Sequence, residues 1–247
     1  MSTQLARISS LATKATARAW SARDVAWSQP IVLPDGIRPV VYVDLVSQLY
    51  HAELVALDAL ARMHAELTEP EARAFLATQI ADEERHAQVY RAYLERVGDL
   101  RPIDPGLATS FDAARAWTGP AWALVVALNV MMEHEALHQQ HKRIATLPCP
   151  LFKEINQRIA ADESRHAGFG VLYLEHALPR VPAGEKADVI AWLRTLWARW
   201  HDANRGRYQA AGEEVLRLDA EELERRGRRV GATLASLGLG EDDRVLA

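Results

Sequence analysis

The chain has one cysteine, Cys149, in 247 residues, which excludes an internal disulfide and any Cys-x-x-Cys metal module. It has no run of about 18 uncharged apolar residues, so no helix is expected to span a bilayer. The N-terminal stretch from Met1 to Arg7 lacks the long apolar core of a secretory signal. With the lone thiol, this points to a reducing cytoplasm. No Gly-rich nucleotide-binding motif is present, so an electron-carrying nucleotide would have to sit on another protein. Neither sign of charge dominates: 33 acidic against 29 basic residues give a net charge of −4, with no global pull toward nucleic acid or an anionic membrane. Partners must therefore be argued from local sites.

What is abundant is helical periodicity. Residues 1–38 read as an irregular or partly helical arm, closed by the proline-rich stretch Pro30 to Pro39. A first helix is expected from about Asp44 to Leu67, with Val46, Leu49, Tyr50, Glu53, Leu57, Leu60 and His64 on one stripe. Thr68 and Pro70 signal the start of a second helix, which continues to Val97 before Gly98. Residues from Gly98 to about Ser110 read as a loop crossing the bundle. A third helix from Pro120 to Leu147 carries Val126, Val130, Glu133, Leu137, His141 and Ile144 together, and Pro148-Cys149-Pro150 stops it. A fourth runs from Leu151 to Leu178, and two accessory helices follow, about Ala183 to Gly212 and Asp219 to Leu237. The fold class is all-α: a four-helix bundle of two hairpins over 39–180, with residues 181–247 packed outside it.

The two hairpins repeat. Glu53 stands 30 residues before Glu83-Glu84-Arg85-His86, and Glu133 stands 30 residues before Glu163-Ser164-Arg165-His166. Each member of the second set lies 80 residues after its counterpart, as do Asp162 after Asp82 and Arg165 after Arg85. A Glu-x-x-His pair projects both side chains from one helix face, so each half offers three metal ligands. Burying four ionised carboxylates unaided would be prohibitive. Two divalent cations would balance Glu53, Glu83, Glu133 and Glu163, and a set with two imidazoles and no thiolate suits iron or manganese better than structural zinc. One Glu from each of two helices plus Glu-x-x-His from the other two is a known pattern of dimetal bundles.

The segments Ile80 to His86 and Ala161 to Gly170 resemble the ferritin-like superfamily of di-iron oxidases and oxygenases. That group includes ribonucleotide reductase small subunits, N-oxygenases and aldehyde-deformylating oxygenases. The resemblance implies that Glu53, Glu83 and His86 serve one iron and Glu133, Glu163 and His166 the other, with two carboxylates bridging; a manganese/iron or dimanganese pair is an equivalent cofactor. It also implies that Asp82 holds the free ring nitrogen of His166 and Asp162 that of His86. Tyr90 follows His86 at the spacing of the radical tyrosine of reductase small subunits, and reads more simply as a core tyrosine with a satisfied hydroxyl. Gly170 is its counterpart in the repeat, read as leaving room for substrate or oxygen.

Other residues carry weaker signals. His141 offers a candidate extra ligand. Glu135 opens a third Glu-x-x-His but points about 200° from Glu133. His51 and His64 read as core or boundary histidines, Trp192, Trp197 and Trp200 as packing, and Glu224 to Arg229 as a solvated face. The function expected from the resemblance is O2-dependent oxidation of a small organic substrate by a di-iron monooxygenase or oxidase. Electrons would come from a ferredoxin or flavin reductase, and the assembly would be a homodimer. Iron storage by a ferroxidase and a radical-generating reductase-like subunit are the competing classes.

Overall fold

The computed structural model describes residues 2–205, 207–208 and 216–246, and these are helical with no strand among them. Three helices of 28 residues each, α2 (Pro39–Glu66), α3 (Pro70–Val97) and α7 (Pro150–Ala177), open on a proline at or next to the first position. There the missing N–H has no intrahelical partner to lose, and the ring pre-sets a helical φ. Each spans about 42 Å. Because Pro70 takes that first position, Glu69 and not Thr68 is the N-cap of α3, and it makes no side-chain capping bond.

The fourth bundle member is not one regular helix. It consists of α5 (Ala121–Val125), a π-helical stretch over Val126–Met132, and α6 (Glu133–Thr146). α2 pairs with α3 and α6 with α7, making two hairpins. The arm is more ordered than the sequence suggested: α1 (Thr3–Ala17) packs against α3 and α7. The expected loop also holds a helix, α4 (Pro105–Arg115), whose Asp104 cap accepts from the N–H groups of Gly106 and Leu107. α4 packs on α8 (Ala183–Asn204), and α9 (Ala220–Ser236) rests on the π-helical stretch. α8 ends earlier than expected, and most of the further stretch to Gly212 lies outside the described residues. By length and composition α2 is long and apolar enough to cross a membrane, yet here it carries Glu53 inward and packs on α3.

Two apolar layers fill the bundle, one at each end. One gathers Tyr42, Val46, Tyr90, Tyr93, Phe152 and Ile159; the Tyr42 and Tyr93 hydroxyls meet at 2.8 Å, and Cys149 is a buried free thiol 3.2 Å from Tyr93. The other gathers Leu60, Met63, Phe75, Val130 and Phe169, with Phe75 and Phe169 stacked at 4.5 Å. The charged residues of the repeat fall between these layers along every bundle helix.

The π-helical stretch explains why the third stripe departs from the expected pattern. A wider turn inserts an extra residue and rotates everything after it. Val126, Val130 and Glu133 are buried, but thereafter Glu135 and Gln140 are the buried positions, Leu137 and Ile144 are half-buried, and His141 is exposed. Gly170 is also reassigned: a Cβ there would meet Asn129 Cβ at 2.7 Å and its carbonyl carbon at 3.1 Å, so the glycine admits the π-helical backbone and leaves no room for a ligand.

The basic run on α9 is only partly a solvated face. Arg225 and Arg228 pair with Glu221 and Glu224 in exposed i, i+4 bridges, whereas Arg226 is buried and donates to Glu135 at 2.9 Å and Glu222 at 2.5 Å. This bond ties α9 to α6. The Arg226→Ala variant is expected to lose about 3–5 kcal/mol by stranding a buried carboxylate, seen as a lower urea midpoint. Adding Glu135→Leu should recover most of that loss.

Candidate metal centre

The repeat places its six metal-type side chains in one cluster. Glu53 comes from α2, Glu83 and His86 from α3, Glu133 from the first position of α6, and Glu163 and His166 from α7. One donor atom each from Glu53, Glu83, His86 and Glu163 lies within 4.8 Å of the others, and the same holds for Glu83, Glu133, Glu163 and His166. Glu83 and Glu163 belong to both groups. The cluster is nearly dry: both imidazoles are at 0% exposure, and the four carboxylate residues range from 1% at Glu83 to 9% at Glu53.

Each imidazole turns Nδ1 toward the carboxylates and Nε2 away. His86 Nδ1 lies 2.9 Å from Glu83 and 3.6 Å from Glu163, while His166 Nδ1 lies 2.7 Å from Glu163 and 3.1 Å from Glu83. On the far side His86 Nε2 is 3.1 Å from Asp162 Oδ2, and His166 Nε2 is 3.2 Å from Asp82 Oδ2. Each aspartate thus reaches across the bundle to the histidine of the other half. Such a contact fixes the ring orientation and puts the Nε2 proton on the aspartate side, leaving Nδ1 free to act as a ligand.

Those aspartates sit in a ring of charge that follows the same pseudo-twofold. Arg85 donates to Asp82 on its own helix and to Asp162 at 3.0 Å, and Arg165 donates to Asp162 on its own helix and to Asp82 at 3.4 Å. Two guanidiniums against two carboxylates leave the ring itself without net charge. One member breaks the symmetry. Trp20, from the segment after α1, donates its indole N–H to Asp162 at 2.7 Å, stacks on His86 and lies under the Arg85 guanidinium.

A second set of contacts orients the carboxylates from the other side. Gln79 Nε2 donates to Glu133 at 3.0 Å and, more weakly, to Glu83 at 3.3 Å, and its Oε1 accepts from Asn129 at 2.9 Å. Asn129 also donates to the backbone oxygen of His166 at 3.2 Å. Gln79, Asn129 and Trp20 escaped the sequence reading because none is duplicated: the repeat counterpart of Gln79 is Ile159, and Asn129 lies in the π-helical stretch. Tyr90 is fully buried, its hydroxyl 3.3 Å from Asn156 Oδ1, and burial, then the Glu53 charge, pushes its pKa well up.

The other candidates are placed elsewhere. His141 is exposed, Glu135 is held by Arg226, His51 bonds the Arg101 carbonyl, and Trp192 and Trp197 stack on Trp117 and Trp200. Beside the four carboxylates opens a cavity of about 180 Å³, lined by Leu49, Met132, Gln140, Arg143, Trp200 and Tyr208 among others.

Proton distribution shows how costly the cluster is. Burial, then the charge of Glu83, holds Glu53 protonated well above the carboxylate range; burial and Glu163 do the same for Glu133. Burial alone would discharge the imidazoles, but Asp162, Glu163 and Glu83 at His86, and Glu83 and Asp82 at His166, overcome it and raise both. At Glu83 the burial penalty is likewise overcome, by both histidines, and its pKa falls. Protons thus stand where cations would, and the donor set fits two metal ions: four carboxylates, two imidazoles and no thiolate, with donor atoms already converged.

Three solved structures share this architecture. A structure described as a putative class I ribonucleotide reductase from Bacillus halodurans superposes with a TM-score of 0.69 at 13% identity, covering 97% of this chain and 94% of that one. The fold is the ferritin-like fold of the R2 proteins. An R2-like ligand-binding oxidase from Sulfolobus acidocaldarius gives 0.65 at 14% identity over 96% and 92% of the two chains. A second R2-like ligand-binding oxidase, a point mutant with an aerobically reconstituted Mn/Fe cofactor, gives 0.62 at 18% identity over 97% and 88%. No family model matches the chain, and no curated protein matches it in sequence. At these identities the likeness establishes the fold alone.

The raised groups set a pH dependence. Glu53, Glu133, His86 and His166 bind protons more tightly folded than unfolded, so the stability they contribute to the metal-free protein is present at low pH and is lost as pH rises through their elevated values. Glu83 and Asp162 act oppositely, but only on the acid side. The melting temperature of the metal-free protein should therefore fall as pH rises above the ordinary histidine range of about 6.5, and added Fe(II) or Mn(II) should abolish the fall while releasing protons. A flat calorimetric profile would contradict this charge assignment.

Proposed function

We propose that this protein is a dimetal oxidase that uses O2 to oxidise a small organic substrate. The observation that carries this reading is the convergence of four carboxylates and two imidazoles in a dry layer that opens on one side into a cavity. Glu53, Glu83, His86 and Glu163 would hold one ion, and Glu83, Glu133, Glu163 and His166 the other, with Glu83 and Glu163 shared. When bound, a pair of iron ions, or the Mn/Fe pair named for one structural neighbour, supplies the electrons that reduce dioxygen.

The chain's own residues do the rest. The apolar layers above and below the cluster exclude bulk water, which strengthens every charge interaction inside. Asp82 and Asp162 keep the two imidazoles in the tautomer that presents Nδ1. Gln79 restrains Glu83 and Glu133, whereas Glu53 has no such amide bond among the described residues. All four carboxylates, Glu53, Glu83, Glu133 and Glu163, border the cavity, which makes that side of the cluster the approach for substrate. Glu53 holds a proton readily and stands at the cavity wall, where a proton would be exchanged with a reacting molecule. Electrons would come from a ferredoxin or flavin reductase partner.

Metal content measures the ligand assignment. Purified protein reconstituted with iron should hold two ions per chain, and His86→Ala or Glu163→Ala should hold fewer; unchanged stoichiometry would contradict it. Asp162→Asn should weaken metal binding roughly 10- to 100-fold, the usual effect of removing a carboxylate behind a ligating histidine. For the activity itself, protein loaded with Fe(II) under anaerobic conditions and given a pulse of air should consume O2 and change its optical spectrum. Protein that holds two irons yet remains inert to O2 would overturn the oxidase reading.

A further inference from the structure

One wall of the cavity is aromatic and readily oxidised. Trp200 of α8 lines the same space as the four carboxylates, and the Trp197 ring stacks on it with centroids 5.1 Å apart and an interplanar angle of 25°. Both residues are largely buried, at 9% and 6% exposure. Beyond Trp197 the backbone of α9 passes close. A Cβ on Gly227 would stand 3.3 Å from Trp197 Nε1, and Gly227 is half-buried beside the exposed Arg228. The two rings thus lead from the cavity toward the outer face of α9. Trp117, Trp122 and Trp192 belong to the same apolar layer, while α2, α3 and α7 carry no tryptophan, so this concentration of indoles lies outside the duplicated helices that hold most of the cluster.

Reducing one O2 to two waters takes four electrons and four protons. Two ferrous ions supply two electrons on becoming ferric, and an organic substrate supplies the other two. With the cavity empty of substrate, the second pair must come from the protein. An indole gives up an electron first and its N–H proton afterwards, whereas a phenol must lose both together. Tyr90 also lines the cavity, but its hydroxyl donates to the amide oxygen of Asn156, which is no base for that proton. We propose that Trp200 and Trp197 form a redox relay that completes the reduction of O2 to water when no substrate is bound. This rests on the oxidase reading and adds a self-protective activity to the same site. Each indole gives one electron and its N–H proton, solvent gives the other two protons, and two indolyl radicals remain. The ferredoxin or flavin reductase partner then returns two electrons, solvent returns two protons, and both rings are restored. Stacking lets the charge pass from Trp200 to Trp197, away from the cavity and toward the α9 surface.

Protein loaded with Fe(II), without substrate or reductase, given a pulse of air and frozen for electron paramagnetic resonance tests it. An organic radical should form, and tryptophan deuterated on its ring should narrow the signal without touching the fold. Peptide mass analysis after repeated pulses should find oxygen atoms added to Trp200 and Trp197, and none in metal-free protein treated alike. Trp200→Phe should abolish the tryptophan radical and move the added oxygen to Met132, which lines the cavity and takes it up as the sulfoxide, with two irons per chain retained. Trp197→Phe should confine the radical to Trp200. The inference is overturned if the signal ignores tryptophan deuteration or survives Trp200→Phe; its loss in Trp20→Phe instead would place the oxidised indole on the His86 side. Should Trp200→Phe fail to fold, deuteration and peptide mapping of the parent decide. O2 uptake with no oxidised tryptophan sinks this inference alone, whereas protein that holds two irons and takes up no O2 sinks the oxidase reading beneath it.

Discussion

The structure depends on neutralising four glutamates that it takes out of water. Glu53, Glu83, Glu133 and Glu163 lie within one layer of the bundle, with apolar side chains at both ends and two imidazoles as close counter-charges. In such a setting each carboxylate left charged and unpaired would cost several kcal/mol, more than the marginal stability of a domain can absorb many times over. Protons answer this in the metal-free chain by occupying Glu53, Glu133 and both histidines. Two divalent cations would answer it better, since several of these donors would share each one.

The surroundings are arranged so that this answer stays local. The Asp82, Arg85, Asp162 and Arg165 ring is balanced within itself, so it adds no net charge of its own beside the cluster while its aspartates orient His86 and His166. Gln79 and Asn129 restrain the opposite side with neutral amides, again adding no charge. What remains open is the side of the four carboxylates, where the cavity begins. Gly170 serves this arrangement indirectly, by letting α7 approach the π-helical stretch closely enough for Asn129 to reach the His166 carbonyl.

The asymmetry of the two halves is as informative as their symmetry. In the first half the fourth position after the histidine is Tyr90, which closes one apolar layer; in the second it is Gly170, which admits the π-helical backbone. Trp20 touches only the His86 side. The duplicated core thus supplies a symmetric cluster, while unduplicated residues make its surroundings differ, with an indole against His86 and a π-helical backbone against the helix that carries His166.

The helices and the six converging residues were legible in the sequence because each depends on local spacing. A Glu-x-x-His pair shares a helix face whatever else the chain does, proline marks a helix start by its own ring, and the 80-residue offset ties the two halves together. The crossed pairing of Asp82 with His166 and of Asp162 with His86 was an implication of family resemblance that the geometry now places at hydrogen-bonding distance. Other features needed the tertiary structure. The π-helical turn, which moves His141 to solvent and Gln140 and Arg143 to the cavity, arises where α5 and α6 must meet both α7 and α9, and no periodicity announces it. Arg226 and Trp20 come from segments that read as surface and arm. Their roles depend on which distant helix lies opposite them, and that is decided by packing and not by neighbours in the chain.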